Sequence, residues 1–261
     1  MSIPIRWCGF DFGGTIIDPR RNYQSWVEII NEIYTELGKP EVISDKVARF
    51  SKLIENYEYD KRLMDGILGD IDFWKKYYRL KRLRETDMPG FFSRILDNNQ
   101  KAIELFQKKS FRFLKLADGF KECLEFLKKK GISINIVSDV GTESTIETLP
   151  RVLGTFGLMP YFTDIITNHG RIKKNGETDL SYKGMEKVDG TLYKKIAQYL
   201  LSIGIEPSQA LMIGDRPVED VEKAKENGFK AIQFTGVQKR RVSNAADYVI
   251  SDLKELEKII L

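Results

Sequence analysis

Apolar and polar positions along this chain follow three successive regimes. Ile5 to Phe10 is a short apolar run, the mark of a buried strand, and it stops at Asp11 before the turn Gly13-Gly14-Thr15. From about Asp18 to Lys115 the apolar residues recur at helical spacing, as in S-W-V-E-I-I-N-E-I-Y-T-E-L and V-A-R-F-S-K-L-I-E-N-Y, with no strand pattern between them. From Leu116 onward helices and apolar strands alternate. The predicted elements are a helix over Phe120–Lys130, a strand over Ile132–Val137 and a helix from about Thr142. A strand near Tyr161–Thr167 follows, then a loop containing His169 and a helix over Thr191–Ile203. A strand at Ala210–Ile213, a helix at Val218–Asn227, strands at Lys230–Phe234 and Tyr248–Ile250 and a terminal helix from Asp252 complete the series. Such alternation predicts an α/β fold with a doubly wound parallel, Rossmann-like sheet and right-handed crossovers. The middle regime predicts an inserted all-helical domain. The expected organisation is residues 1–18 plus 116–261 as one core and 19–115 as the insert.

Composition narrows the picture. The chain has 261 residues, of which 42% are hydrophobic, enough to bury a core of this size. Its 42 basic and 38 acidic residues nearly balance, which argues against a dedicated nucleic-acid binder. No apolar run approaches the roughly 20 residues that cross a bilayer. The start, M-S-I-P-I-R-W-C-G-F-D, leads straight into a strand and lacks the shape of a signal peptide, so a cytoplasmic protein is expected. Cys8 and Cys123 have no metal-ligand spacing and read as small buried hydrophobes. A single histidine leaves zinc hydrolases and histidine-based triads without support. Nothing in the sequence specifies an oligomer.

The candidate chemistry lies at the ends of the apolar runs. Asp11 ends W-C-G-F-D, Ser138 ends I-N-I-V-S, and Asp215 ends L-M-I-G-D with Asp220 five residues on. In an open parallel sheet such positions share the carboxyl edge, where ligands bind. Lys187 stands in K-V-D-G-T-L-Y, a lysine-rich loop in which Lys173 and Lys183 compete for the same role. A nucleophilic carboxylate, a hydroxyl, an ammonium and an acidic pair are what Mg²⁺-assisted phosphoryl transfer requires. Gly13 stands where a general acid would be useful.

On these residues the chain resembles the haloacid dehalogenase-like superfamily. Asp11, Gly14 and Thr15 match its first motif, Asp-x-Asp-x-Thr, and Gly13 departs from it. Ser138 corresponds to the hydroxyl motif and Lys187 to the lysine motif, with Asp189 and Tyr193 continuing the pattern. Gly214, Asp215 and Asp220 correspond to the acidic motif, and the insert to a helical cap. The resemblance implies that Asp11 attacks phosphorus to form an aspartyl-phosphate. Ser138 would donate to a phosphoryl oxygen, with the backbone N–H groups of Asp139 and Val140 forming an anion nest, and Lys187 would neutralise shared charge. Mg²⁺ would be held by Asp11, the carbonyl of Gly13 and Asp215, with Asp220 outside them orienting a water or Lys187. The expected substrate is a small phosphorylated or phosphonate compound.

In family phosphatases the second Asp of the first motif protonates the leaving group. Glycine cannot, and losing general acid–base catalysis costs about 10²–10⁴-fold. Three readings follow: a phosphatase for substrates with good leaving groups, a phosphonate hydrolase, or a ligand-binding protein with weak turnover. Gly13 also brings conformational freedom that suits the turn. Two further features read as bland. His169 in T-N-H-G-R is expected to be a surface histidine, and Phe73–Arg84, with aromatics among cations, a solvated cap helix. In the insert, Lys75 and Arg79 are candidates for reaching an anionic substrate.

Overall fold

A computed structural model of the protein describes residues 4–18, 23–49, 96, 99–110, 114–140 and 144–260. The chain divides into two compact units, residues 1–19 with 115–261, and residues 20–114. The stretch Phe73–Arg84, with Lys75 and Arg79, lies outside the described residues.

The first unit is built on one eight-stranded sheet. Its strands are β1 (Trp7–Phe10), β4 (Ser133–Ser138), β5 (Asp164–Thr167), β6 (Gly170–Lys173), β7 (Thr178–Asp179), β8 (Ala210–Gly214), β9 (Lys230–Phe234) and β10 (Tyr248–Ile250). A separate antiparallel pair joins β2 (Ile17–Asp18) to β3 (Lys115–Leu116), where the insert leaves and returns. The sheet order is β10-β9-β8-β1-β4-β5-β6-β7, and the first six of these strands run parallel. The chain thus moves outward on one side of β1 through β4 and β5, then returns to its other side through β8, β9 and β10. That reversal at β1 is the topological switch point of the predicted doubly wound sheet.

Burial explains why the central strands read as unbroken apolar runs. Every residue of β1 and β8 is buried. Gly9 is fixed by packing, because a Cβ there would lie 2.6 Å from the Trp7 ring and 2.9 Å from Val137. Helix α3 (Phe120–Lys129) buries Phe120, Cys123, Leu124 and Leu127, the i, i+3, i+4, i+7 stripe of an amphipathic helix. Helix α5 (Thr191–Ser202) buries Leu192, Tyr193, Ile196 and Leu200 in a cluster that also holds Trp7, Val137 and Met212. The cost of emptying such a position, as in Leu→Ala, is about 2–5 kcal/mol.

Two expectations are corrected here. The predicted loop around His169 is the turn of an antiparallel meander, β5-β6-β7. These strands are two to four residues long, and β6 carries a buried arginine in place of an apolar run, so the strand signal is absent. Arg171 donates to Asp164 Oδ2 at 2.8 Å and lies 3.8 Å from the Tyr199 ring centroid. The predicted helix Val218–Asn227 begins instead as a π-helical turn, Pro217–Glu222, before α6 (Lys223–Glu226). Such wide turns are frequent at functional sites.

The described elements of the second unit are helical. Helix α1 (Tyr23–Glu36) and helix α2 (Gln100–Ser110) share a cluster of Ile29, Ile30, Ile33, Tyr34, Leu96 and Ala102. Lys109 pairs with Glu36 at 2.8 Å.

Candidate active site

Strand register aligns the candidate residues at one edge. Phe10 pairs with Ile136 on one side and Ile213 on the other. Asp11 therefore stands level with Val137 and Gly214, and Ser138 and Asp215 lie one residue further along. The Asp11 N–H donates to Ile213 O at 2.8 Å, which carries the strand pairing up to Asp11.

Lys187 joins the separate segments. Its ammonium donates to Asp11 Oδ1 at 2.6 Å, Asp220 Oδ1 at 2.5 Å and Val137 O at 3.2 Å. Those three acceptors match the three donors of a lysine. Burial alone would push the ammonium down; the charges of Asp11 and Asp220 outweigh it and hold Lys187 well above its ordinary value. The competing Lys173 is half-buried on β6 and pairs with Glu177, away from the cluster. Lys183 is also exposed.

The acidic groups have distinct surroundings. Both Asp220 oxygens are engaged, one by Lys187 and the other by the Arg216 N–H at 2.9 Å. Burial raises the Asp220 carboxyl above its usual range, with Lys187 opposing the rise. Asp215 Oδ2 accepts from Arg240 Nε at 2.5 Å, while its buried Oδ1 has no partner among the described residues. Burial, then the neighbouring charge of Asp11, raises Asp215 as well. Glu219, also buried, is pushed up to about 8 by burial and by Asp220.

Asp11, Asp215 and Asp220 each offer a carboxylate oxygen, all within 4.8 Å of one another, and can together hold a metal ion. An all-oxygen set with an orphaned buried oxygen suits a hard divalent cation. Because both Asp220 oxygens are engaged, Asp220 fits the role of holding Lys187, and Asp11 and Asp215 are the freer ligands.

Several expectations change at the loops. The positive backbone φ of the first turn belongs to Gly14, at 88°, and not to Gly13. A Cβ on Gly14 would also meet Asp215 Oδ2 at 2.9 Å, whereas one on Gly13 would meet nothing within 4 Å among the described residues. The proposed nest is partly occupied: the Val140 N–H donates to Asn168 Oδ1 at 2.9 Å. The Asp139 carboxylate accepts from the Lys187 backbone N–H at 3.1 Å, so it positions the lysine loop. His169 is half-buried, its Nε2 3.0 Å from Val140 O, and so clamps this loop to the β5–β6 turn. Sequence reasoning also passed over Arg216, Arg240 and Gln233. Arg216 directly follows Asp215. Arg240 lies beyond the carboxyl end of β9, where the sheet rule that found Asp11 also applies.

Residues 5–228 match the family model of the haloacid dehalogenase-like hydrolases. The chain belongs to that family. Among curated proteins it is similar to a glyceraldehyde 3-phosphate phosphatase of Pyrococcus furiosus, with 24% identity over 159 residues. That match covers 59% of this chain and 58% of the relative, so the chain spans less than two thirds of the relative's length. Among solved structures, it is similar to a protein described as the HAD-hydrolase YfnB of Bacillus subtilis, bound to magnesium. The TM-score is 0.63 at 18% identity, covering 99% of each chain. A HAD phosphatase of Thermococcus onnurineus aligns with TM-score 0.54 and 22% identity, over 98% of this chain and 97% of that one. At these identities the structural likeness speaks for the fold. Among the described residues, no helix is long and apolar enough to cross a membrane.

Proposed function

We propose that this hydrolase is a Mg²⁺-dependent phosphatase for a small phosphorylated compound, acting through an aspartyl-phosphate on Asp11 in a cytoplasmic setting. The observation that carries the reading is the Lys187 ammonium between Asp11 and Asp220, beside an Asp215 oxygen that is buried and has no partner among the described residues. The phosphatase named among its relatives supports the substrate class.

Bound Mg²⁺, held by Asp11 and Asp215 with the Gly13 carbonyl, would neutralise charge on the phosphoryl group. Lys187 holds Asp11 in place and offsets its charge, and Asp220 holds Lys187. An Asp11 oxygen attacks phosphorus while the bond to the leaving oxygen breaks. That oxygen departs with the electron pair and takes a proton from water, since Gly13 has none to give. Water then attacks phosphorus in the acyl phosphate, releasing phosphate and restoring Asp11. Ser138, at the same sheet edge, donates its hydroxyl to a phosphoryl oxygen. The inserted residues 19–115 act as the cap that selects the substrate.

The test is phosphate release from a panel of aryl and alkyl phosphate esters, with Mg²⁺ or with EDTA, by wild type and Asp11→Asn. The expected result is Mg²⁺-dependent turnover, fastest for aryl esters and abolished in Asp11→Asn. Cleavage of a phosphonate in place of the esters would move the assignment to carbon–phosphorus chemistry. No turnover of either class would favour a binding protein.

A further inference from the structure

All three ammonium donors of Lys187 are used inside the protein, on Asp11, Asp220 and Val137. A second cation reaches the cluster from a segment that no motif singled out. Arg240 follows β9 and sets its Nε against Asp215 Oδ2, while its Nη2 donates to Gln238 Oε1 at 2.6 Å. The other three N–H groups of the guanidinium have no partner among the described residues. The side chain is 30% exposed, in contrast to the fully buried Asp215 and Asp220.

The segment that presents Arg240 is pinned in place. Gln233, buried at the end of β9, donates to Arg241 O at 2.8 Å and accepts from the Ser243 N–H at 2.7 Å. Ser243 and Arg241 both donate to Glu222, at 2.9 and 3.2 Å. These bonds tie the chain just after Arg240 back to β9 and to Glu222, and so restrict the approach of the guanidinium to Asp215.

We propose that Arg240 is the built-in counter-ion of this site, sharing Asp215 with the divalent cation and presenting positive charge to the arriving phosphate dianion. The proposal rests on the reading of the cluster as a Mg²⁺ and phosphate site. Arg240 takes one oxygen of Asp215, and the other has no partner among the described residues, so both cations can contact the same carboxylate. Two cations that share one carboxylate repel each other. Arg240 thereby weakens the metal site and strengthens the anion site. A residue that only braced the loop would shift both affinities in the same direction or neither.

Titration calorimetry tests this on the full chain, with MgCl₂ alone and then with inorganic phosphate at saturating Mg²⁺. Arg240→Gln removes the charge and keeps a polar side chain. It is expected to bind Mg²⁺ about tenfold tighter and phosphate about tenfold weaker than wild type, as follows from removing one like charge from a partly exposed site. Arg240→Lys is expected to stay within about threefold on both, because the charge remains. Arg240→Met is the second neutral variant if Arg240→Gln does not fold. Affinities that fall together, or do not move, would overturn the counter-ion role while leaving the metal reading intact. Absence of Mg²⁺ binding by wild type would overturn the metal reading, and this proposal with it.

Discussion

At the scale of single residues, Gly13 and Gly14 show how differently two adjacent glycines are constrained. Gly14 is required twice, by its positive φ and by Asp215 lying against the position of a Cβ. Gly13 is required by neither: its φ is not positive, and among the described residues nothing lies within 4 Å of where a Cβ would sit. Its glycine is therefore a chemical choice more than a steric one, and a carboxylate can be restored there without crowding. Gly13→Asp is expected to raise turnover of an alkyl phosphate by roughly 10–10³-fold, and of an aryl phosphate much less, because only the former needs a proton on the leaving group. Steady-state kinetics on the two substrates checks this; an equal gain on both would show that the new carboxylate acts otherwise. Asp215→Asn tests the neighbouring group: the loss of a charge from a hard-cation site is expected to weaken Mg²⁺ binding in calorimetry. Asp11, Ser138 and Asp215 were legible in the sequence because each ends an apolar run. Arg240 was not, because its contact with Asp215 spans 25 residues and depends on how Gln233 folds the intervening loop.

At the scale of elements, legibility followed burial. Strands β9 and β10 have the predicted bounds, Lys230–Phe234 and Tyr248–Ile250. The β6–β7 extension escaped because polar pairing and not an apolar face holds it to β5. Arg171 and Asp164 form a buried pair there, with side chains 9% and 3% exposed. Removing one partner strands the other charge, so Arg171→Met is expected to destabilise the protein by about 3–5 kcal/mol. Replacing both, with Asp164→Leu added, is expected to recover most of that loss, since an apolar pair carries no desolvation penalty. Denaturant titration of the two variants decides the matter; a double variant as unstable as the single one would show that packing, and not charge, dominates. The π-helical turn at Pro217–Glu222 was hidden for a related reason. Within it Asp220 accepts from the Arg216 N–H four residues back and from Lys187 across the sheet edge, contacts that helix periodicity does not encode.

At the scale of the whole molecule, the doubly wound parallel sheet was legible in the alternation of helices and apolar strands, and six adjacent strands of the sheet run parallel. The strand order, with its switch point at β1, was not, because alternation does not encode which strands pair. Cys8 in β1 and Cys123 in α3 report on the integrity of this core. Both are fully buried, and burial pushes both thiols up, away from the reactive thiolate. Neither is expected to react with an aromatic disulfide reagent at neutral pH until denaturant is added, and labelling of the native protein would contradict a closed core.

The central claim is that Asp11 becomes covalently phosphorylated. The most direct measurement is rapid mixing of wild type with Mg²⁺ and an aryl phosphate, acid quenching within the first turnover, and mass mapping of the peptide that contains Asp11. The account predicts a phosphoryl increment on that peptide, present in wild type, absent in Asp11→Asn and absent when EDTA replaces Mg²⁺. Phosphate release that proceeds with no increment on Asp11, or that survives in Asp11→Asn, would contradict it.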